Sequence, residues 1–492
     1  MDVRCGVGLM NALNYIDGIF VDSVDGSTLP NVNPATGEVI GTIARSKKAD
    51  VEVAVHAAMQ ARKDWAALSM LERADWLDRM ADGLEQRKED IAQRESTDTG
   101  KPLALARRVD AQRSIDNFRF FANVARQQEP EVFEMSDATN VVHRNPIGVV
   151  GLITPWNLPL YLLSWKVAPA LLMGNTIVAK PSEMTPLTAS LMCEVASDIG
   201  LPVGVINVLH GYGPEVGQAI LEHPSIGAIS FTGGTATGRH VAATAAPMFK
   251  KLSLELGGKN ATIVLDDADL DAAVEGAVRA GFTNGGQVCL CGSRILVHRS
   301  IADEFTRQLV ESVDAMICGP PDDPSTQIGA LISVEHLQKV ESYIELGVEE
   351  GGTILTGGTR KMTGPITPSG EGAYLRPTII DGLEHTARTS TEEIFGPVVT
   401  IHRFDSEEEA IEMANSTEYG LAGSIWSTDL DRAHSIAKQI ETGIIWVNTW
   451  LHRDLRTPFG GVKNSGVGRE GGRWSLGFFS EPLNVCIKRD QE

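Results

Sequence analysis

Two thiols one residue apart, Cys289 and Cys291, stand in the stretch FTNGGQVCLCGSR, directly after a glycine pair. A C-x-C pair can be half of a metal site, a redox couple, or one working thiol beside a bystander. A structural metal site needs further soft ligands at C-x-x-C or H-x-x-x-H spacing; neither spacing occurs, and His298 is the one histidine nearby. A dithiol redox couple is normally C-x-x-C at a helix start, so the spacing is wrong for it. Two readings stay open on the residues alone. Both cysteines can be buried and inert, or the glycine-rich lead-in presents one of them at a cleft as a nucleophile.

Glu255 in LELGGK closes a strand ahead of two glycines, and alternates with Leu254 and Leu256. A glutamate at a strand end usually reaches solvent, whereas a partly desolvated one has a raised pKa and can act as general base. Asn157 in TPWNLP (Thr154–Pro159) carries a neutral amide donor of the kind that stabilises an oxyanion, although a proline-rich turn by itself favours a simple turn residue. FTGGTATG (Phe231–Gly238) follows a strand and opens a helix, where free N–H groups and the helix dipole favour a pyrophosphate. GYGPEVG (Gly211–Gly217) approaches G-x-G-x-x-G but has one residue too many. In KPSE (Lys180–Glu183), Glu183 can accept from ribose hydroxyls and would repel a 2′-phosphate, which favours NAD over NADP.

The elements that must position these groups follow a regular alternation. GVVGLIT, NTIVAK, GVINVLHG and AISFTGG read as strands, each followed by a helical stretch. Four successive strand–helix units predict an α/β fold with a parallel, doubly wound sheet of the nucleotide-binding type. Upstream, DVEVAVHAAMQARKDW predicts a helix with Asp50 as its N-cap and Val51, Val55, Ala58 and Met59 on one face. A second α/β region begins near KLSLELGGKNATIVL and carries the thiols and a late strand, GIIWVN. HRNPIG at 143–148 and EPLNVCIK at 481–488 are candidates to pair as a small third element.

The chain's 492 residues exceed one ordinary core, so two or three domains are expected. A net charge of −21 with dispersed Lys and Arg argues against nucleic acid and anionic membrane as partners. No run of about 18 apolar residues occurs, and the first dozen or so residues read as a loose leader without signal-peptide order. Six scattered cysteines form no disulfide framework, which points to a reducing, cytoplasmic location and makes the N-x-T triplets at Asn260 and Asn415 incidental.

Taken in order, TPWNLP, KPSE, FTGGTATG, LELGGK, GQVC, EEIFGP and PFGGVKNSGVGRE resemble the motifs of the aldehyde dehydrogenase superfamily, over nearly the whole chain. The resemblance implies an NAD-dependent enzyme in which Cys289 attacks an aldehyde to give a thiohemiacetal. Asn157 and the Cys289 backbone N–H would hold the oxyanion, hydride would pass to nicotinamide, and Glu255 would activate the water that hydrolyses the thioester. It implies proton-relay roles for Lys166 and Glu470. It also implies cofactor contacts from Ile153, Trp156, Lys180, Ser182, Glu183, Gly213, Gly233, Gly234, Gly238 and Leu256, with Glu393 and Phe395 around the nicotinamide ribose and ring. Gly234 replaces a serine common in its turn, which removes a hydroxyl and leaves the backbone donors.

Within the superfamily, RSIDNFRFFA, TPWNLPLYLLSWK, GQVCLC and WLHRDLRTPFGG resemble the branch acting on 2-aminomuconic and 2-hydroxymuconic semialdehydes. That likeness implies that Arg113 and Arg453 hold a substrate carboxylate, which guanidinium forks do better than lysine, and so fix the aldehyde carbon near Cys289. Arg107, Arg108, Arg119 and Arg456 lie close enough in sequence to compete for this assignment. The alternatives are a broad-specificity or betaine-type aldehyde dehydrogenase and, outside catalysis, a binding or structural member of the fold; the presence of both Cys289 and Glu255 argues against the latter. The implied layout is an aldehyde dehydrogenase-like pair of doubly wound α/β domains, an NAD-binding one from 14–125 and 146–254 and a catalytic one from 255–465. A small β bridging element from 126–145 and 466–492 would join subunits into a homodimer or homotetramer.

Overall fold

The structure, a computed structural model, describes residues 10–360 and 372–489. The expected N-terminal leader, with Cys5, lies almost wholly outside the described residues.

Five strands form the parallel centre of the first sheet, in the spatial order Ile206–Val208, Thr176–Lys180, Val149–Ile153, Ile226–Thr232 and Lys251–Glu255. Val149–Ile153 and Thr176–Lys180 are almost entirely buried, as strands covered on both faces must be. The order reverses between Val149–Ile153 and Ile226–Thr232, and ligands bind beyond the carboxyl ends of strands at such a switch point. The register aligns Lys180, Ile153, Phe231 and Leu254 across neighbouring strands, so TPWNLP, KPSE, FTGG and Glu255 all emerge at one rim. Antiparallel pieces complete the edges: Asn14–Ile16 with Ile19–Val21 on one side, Gly466–Val467 on the other.

The helix Pro159–Leu172 that follows TPWN is buried on nearly every side, which an all-round apolar sequence requires; Lys166 is its single charged residue. The expected N-cap at Asp50 is corrected. The helix Lys48–Ala67 begins two residues earlier, and Asp50 is its third residue. There its carboxylate accepts from the Lys47 N–H at 2.8 Å and the Val24 N–H at 2.7 Å, tying the helix start to the N-terminal hairpin. Val51, Val55 and Ala58 of the expected face are buried.

The chain leaves the first sheet at Glu255, crosses a buried turn and enters the second sheet at Ala261–Val264. That sheet has seven strands in the order Thr353–Thr356, Thr378–Asp381, Val398–Phe404, Arg294–His298, Ala261–Val264, Ala422–Trp426 and Ile444–Val447, parallel except at Thr353–Thr356. The helix Leu270–Phe282, capped by the Asp269 side chain, delivers the chain to the thiol loop. A third sheet joins Glu131–Glu134, Ala138–Pro146 and Ser480–Lys488, the last two paired from Ser480↔Pro146 to Lys488↔Ala138. Ahead of it, Gly472–Phe478 packs on the helix Pro159–Leu172, and Leu476 and Phe479 join the core beneath the first sheet. Among the described residues, no helix is long and apolar enough to cross a membrane.

Candidate active site

The thiol loop is held in shape by its backbone. Asn284, Gly285 and Gly286 adopt three successive left-handed conformations, with φ of 56°, 60° and 71°. Gly286 is doubly required, because a Cβ there would also collide with the Gly396 carbonyl. Asn260 clamps the far side: its amide donates to the carbonyls of Cys289 (2.8 Å) and Cys291 (2.9 Å), while its Oδ1 accepts from the Ala422 N–H. Asn260 is buried by this duty, and sequence reading singled it out only as part of an incidental N-x-T triplet.

Cys289 lines a cavity of about 280 Å³, and Cys291 is buried behind it. Asn157, Trp156, Gly233, Gly234, Leu256, Glu393, Phe395 and Arg453 share that wall. Burial pushes the Cys289 thiol far up, and the nearby Glu393 and Glu255 charges add to the effect against the pull of Arg453. A thiol held up in this way favours its neutral form.

Asn157 is fixed from three directions. Its carbonyl accepts from Lys101 Nζ at 2.9 Å and Asn284 Nδ2 at 3.1 Å, and its own Nδ2 donates to the Gln287 carbonyl at 2.9 Å. One N–H of that amide remains beside the thiol loop for a developing oxyanion. Lys101 is itself buried and paired with Asp110 at 2.9 Å. Neither residue was legible as part of the site, because their roles depend on a contact between segments more than forty residues apart.

Glu255 is buried and neither carboxylate oxygen has a partner. Desolvation raises its pKa well above the carboxylate range, and Glu470 adds to this while Lys166, Arg453 and Arg469 oppose it. It lies behind the cavity wall rather than on it. Lys166 and Glu470 form a buried ion pair at 2.6 Å, with Lys166 also donating to Ser230 Oγ at 2.8 Å. The structure thus brings three of the proposed proton-handling groups together.

The dinucleotide cleft can be tested on shape. Gly238 sits so close to Leu256 that any Cβ would overlap its side chain, which lets the helix Thr235–Ala245 pack directly on the turn after Glu255. A Cβ at Gly234 meets open space, and Gly234, just ahead of the helix N-terminus, lines the cavity. Lys180 and Glu183 pair at 2.7 Å on the rim of the cleft, with Ser182 buried between them. Glu393 accepts from the Gly258 N–H at 2.9 Å, and Phe395, at a φ of 61°, stands edge-on to Trp156 with centroids 5.3 Å apart. His336 completes this aromatic corner, its Nε2–H donating to the Phe395 carbonyl at 2.7 Å, which requires the tautomer protonated at Nε2. Ile153, Lys180, Ser182, Glu183, Gly213 and Gly238 lie outside the cavity wall; Gly213 opens a separate turn, Gly213–Gly217. These features fit a dinucleotide whose phosphates meet the helix N-terminus.

Residues 20–485 match the model of the aldehyde dehydrogenase family. The chain belongs to that family. It is 49% identical over 482 residues to a 2-hydroxymuconic semialdehyde dehydrogenase of Pseudomonas sp. (strain CF600), covering 96% of this chain and 99% of the relative. It is 46% identical over 479 residues to the 2-aminomuconic semialdehyde dehydrogenase of Homo sapiens, covering 96% and 98% of the two chains. The NAD+ complex of an aldehyde dehydrogenase from Bacillus cereus superposes with a TM-score of 0.94 at 36% identity, covering 99% of each chain. The family is an oxidoreductase family, and its fold accounts for both large sheets seen here.

The other end of the cavity, away from the cofactor cleft, holds an arginine. Arg453 lies with its Cζ 4.1 Å from the Phe459 ring centroid and 4.5 Å from that of Trp165. Its Nη1 donates to Tyr161 Oη at 2.8 Å, and its Nη2 is buried without a partner. Arg113 is not among the residues of the wall; its Cζ stands 5.7 Å from the ring centroid of Tyr161, which is. Of the competing arginines, Arg107, Arg119 and Arg456 are engaged in surface ion pairs with Glu89, with Asp82 and Glu85, and with Asp454. Arg108 faces a separate outer groove.

Proposed function

We propose that this aldehyde dehydrogenase oxidises a carboxylated, unsaturated semialdehyde, of the 2-hydroxymuconic or 2-aminomuconic kind, to the dicarboxylate, with NAD as cofactor. The observation that carries the reading is the buried, unpartnered Nη2 of Arg453 in the cavity wall. A cation so placed lacks its counter-charge, and a carboxylate on the substrate supplies it with charge-assisted bonds. The names of the two relatives support the same substrate class.

In the mechanism that follows, Cys289 Sγ attacks the aldehyde carbon and its thiol proton is released to solvent in the cavity, so that Glu255 is needed only at the later hydrolysis. The free N–H of Asn157 and the Cys289 backbone N–H hold the oxygen that becomes negative. Bound at the rim of Lys180, Glu183 and the Gly233–Gly238 turn, NAD supplies the hydride acceptor. Once the carbon is a thioester, Glu255 withdraws a proton from water to hydrolyse it, and the desolvation that raises its pKa makes it a stronger base toward that water. The adjoining Lys166–Glu470 pair passes the proton on.

The exposed strand Ser480–Lys488, with Leu483 and Ile487 half or more accessible, supports a homo-oligomer of two or four subunits. The free thiols at Cys193, Cys289, Cys291, Cys318 and Cys486 support a reducing, cytoplasmic setting. The deciding experiment compares Arg453→Ala on a muconic-type semialdehyde and on a neutral aldehyde of similar length. The kcat/KM ratio between the two substrates should fall about 100-fold or more, as truncating one member of a buried charged pair does. Equal losses on both substrates would count against the carboxylate reading and favour a broad-specificity enzyme.

A further inference from the structure

We propose that Tyr161 supplies the second donor to the substrate's far carboxylate, beside Arg453, and so is a specificity-determining residue. The inference rests on the carboxylate reading above. A carboxylate presents two oxygens in one plane and is held best by two parallel donors. Nη1 of Arg453 already donates to Tyr161 Oη at 2.8 Å, and Nη2 is the guanidinium nitrogen left buried without a partner. In that bond the phenol oxygen accepts, which leaves its own O–H free to donate. No acceptor for that hydrogen is found among the described residues, and Tyr161 lines the same cavity as Arg453. Two unused donors, Nη2–H and Oη–H, are thus joined by a single hydrogen bond at the same end of the cavity.

The surroundings hold this pair still. Phe459 and Trp165 fix the guanidinium through their ring faces, and the Arg113 guanidinium stands 5.7 Å from the Tyr161 ring centroid. Tyr161 is one turn into the helix Pro159–Leu172, which is buried along its length and anchored by the Asn117 amide donating to the Tyr161 carbonyl at 3.0 Å. A rigid helix therefore carries the oxyanion loop at its start and the carboxylate donor one turn later. The arrangement gives Arg113 an indirect part: it supports the ring of the residue that makes the contact.

The test uses the full-length enzyme and the Tyr161→Phe variant, which keeps the ring and its packing. For a muconic-type semialdehyde KM should rise about tenfold, the loss of one hydrogen bond to a charged group, while kcat/KM for a neutral aldehyde stays within about twofold. In an Arg453→Ala background, Tyr161→Phe should still lower kcat/KM for the carboxylated substrate, because the phenol touches the ligand itself. Silence of Tyr161→Phe in that background would mean that it only orients Arg453, and would overturn the proposal. So would an unchanged KM in the single variant. If Arg453→Ala is selective and Tyr161→Phe is not, this inference alone fails; if Arg453→Ala harms both substrates equally, the carboxylate reading fails with it.

Discussion

Glu255→Gln separates the two halves of the chemistry and the energetics of the carboxyl at once. The side chain keeps its shape, so the cavity behind Cys289 is preserved, and only the ability to take a proton is lost. A positioned general base contributes about 100- to 10,000-fold, or roughly 3–5.5 kcal/mol of barrier, and steady-state turnover should fall by that factor. If its main work is activating water, the first turnover survives and rapid mixing should record an NADH burst approaching one per active site, with a thioester left on Cys289. The same variant has a stability signature. Burial and Glu470 raise the folded-state pKa of Glu255 above its unfolded value. Its contribution is therefore complete below the unfolded pKa and is lost as pH rises toward the folded one, by up to about 1.4 kcal/mol per pH unit. Glutamine does not titrate, so chemical denaturation should show the variant gaining on the wild type as pH rises above the unfolded-state glutamate value of about 4.3. A burst that falls as much as the steady state would place the essential proton transfer at thiol attack. A variant that loses ground to the wild type as pH rises would refute the claim that the carboxyl is desolvated and unpaired.

Lys101→Met leaves Asp110 buried without its cation and should cost about 3–5 kcal/mol in urea denaturation, with Asp110→Asn in the same chain recovering part of it; kcat should also drop, because the Asn157 carbonyl loses a donor. Gly286→Ala places a side chain where φ is 71° and the Gly396 carbonyl blocks it, so the thiol loop must move. That variant should lose more than tenfold in kcat while its NAD affinity, read by fluorescence titration, changes little.

The groups legible in the sequence are those whose role is set by the turn they occupy. Asn157 and Gly233–Gly238 emerge at the rim of a sheet whose alternation is readable, and Glu255 closes the last parallel strand of that sheet. Cys289 follows three left-handed residues that the Asn-Gly-Gly triplet announces. The groups that were not legible owe their place to approach between distant segments. Asn260 faces the thiol loop from 29 residues away, and Lys101 reaches Asn157 across 56. Tyr161 has the periodicity of an ordinary core aromatic, and its hydroxyl gains meaning only when Arg453, 292 residues later, donates to it. Asp50 was misplaced for a smaller reason: an acid at the third helical position carries the same sequence signal as one at the cap.

Which of the two neighbouring thiols works is the most direct test. NADH formation from a muconic-type semialdehyde should vanish in Cys289→Ala and persist at most of the wild-type rate in Cys291→Ala, since Cys289 lines the cavity and Cys291 is buried behind it. A dead Cys291→Ala enzyme with an active Cys289→Ala one would contradict the account at its centre.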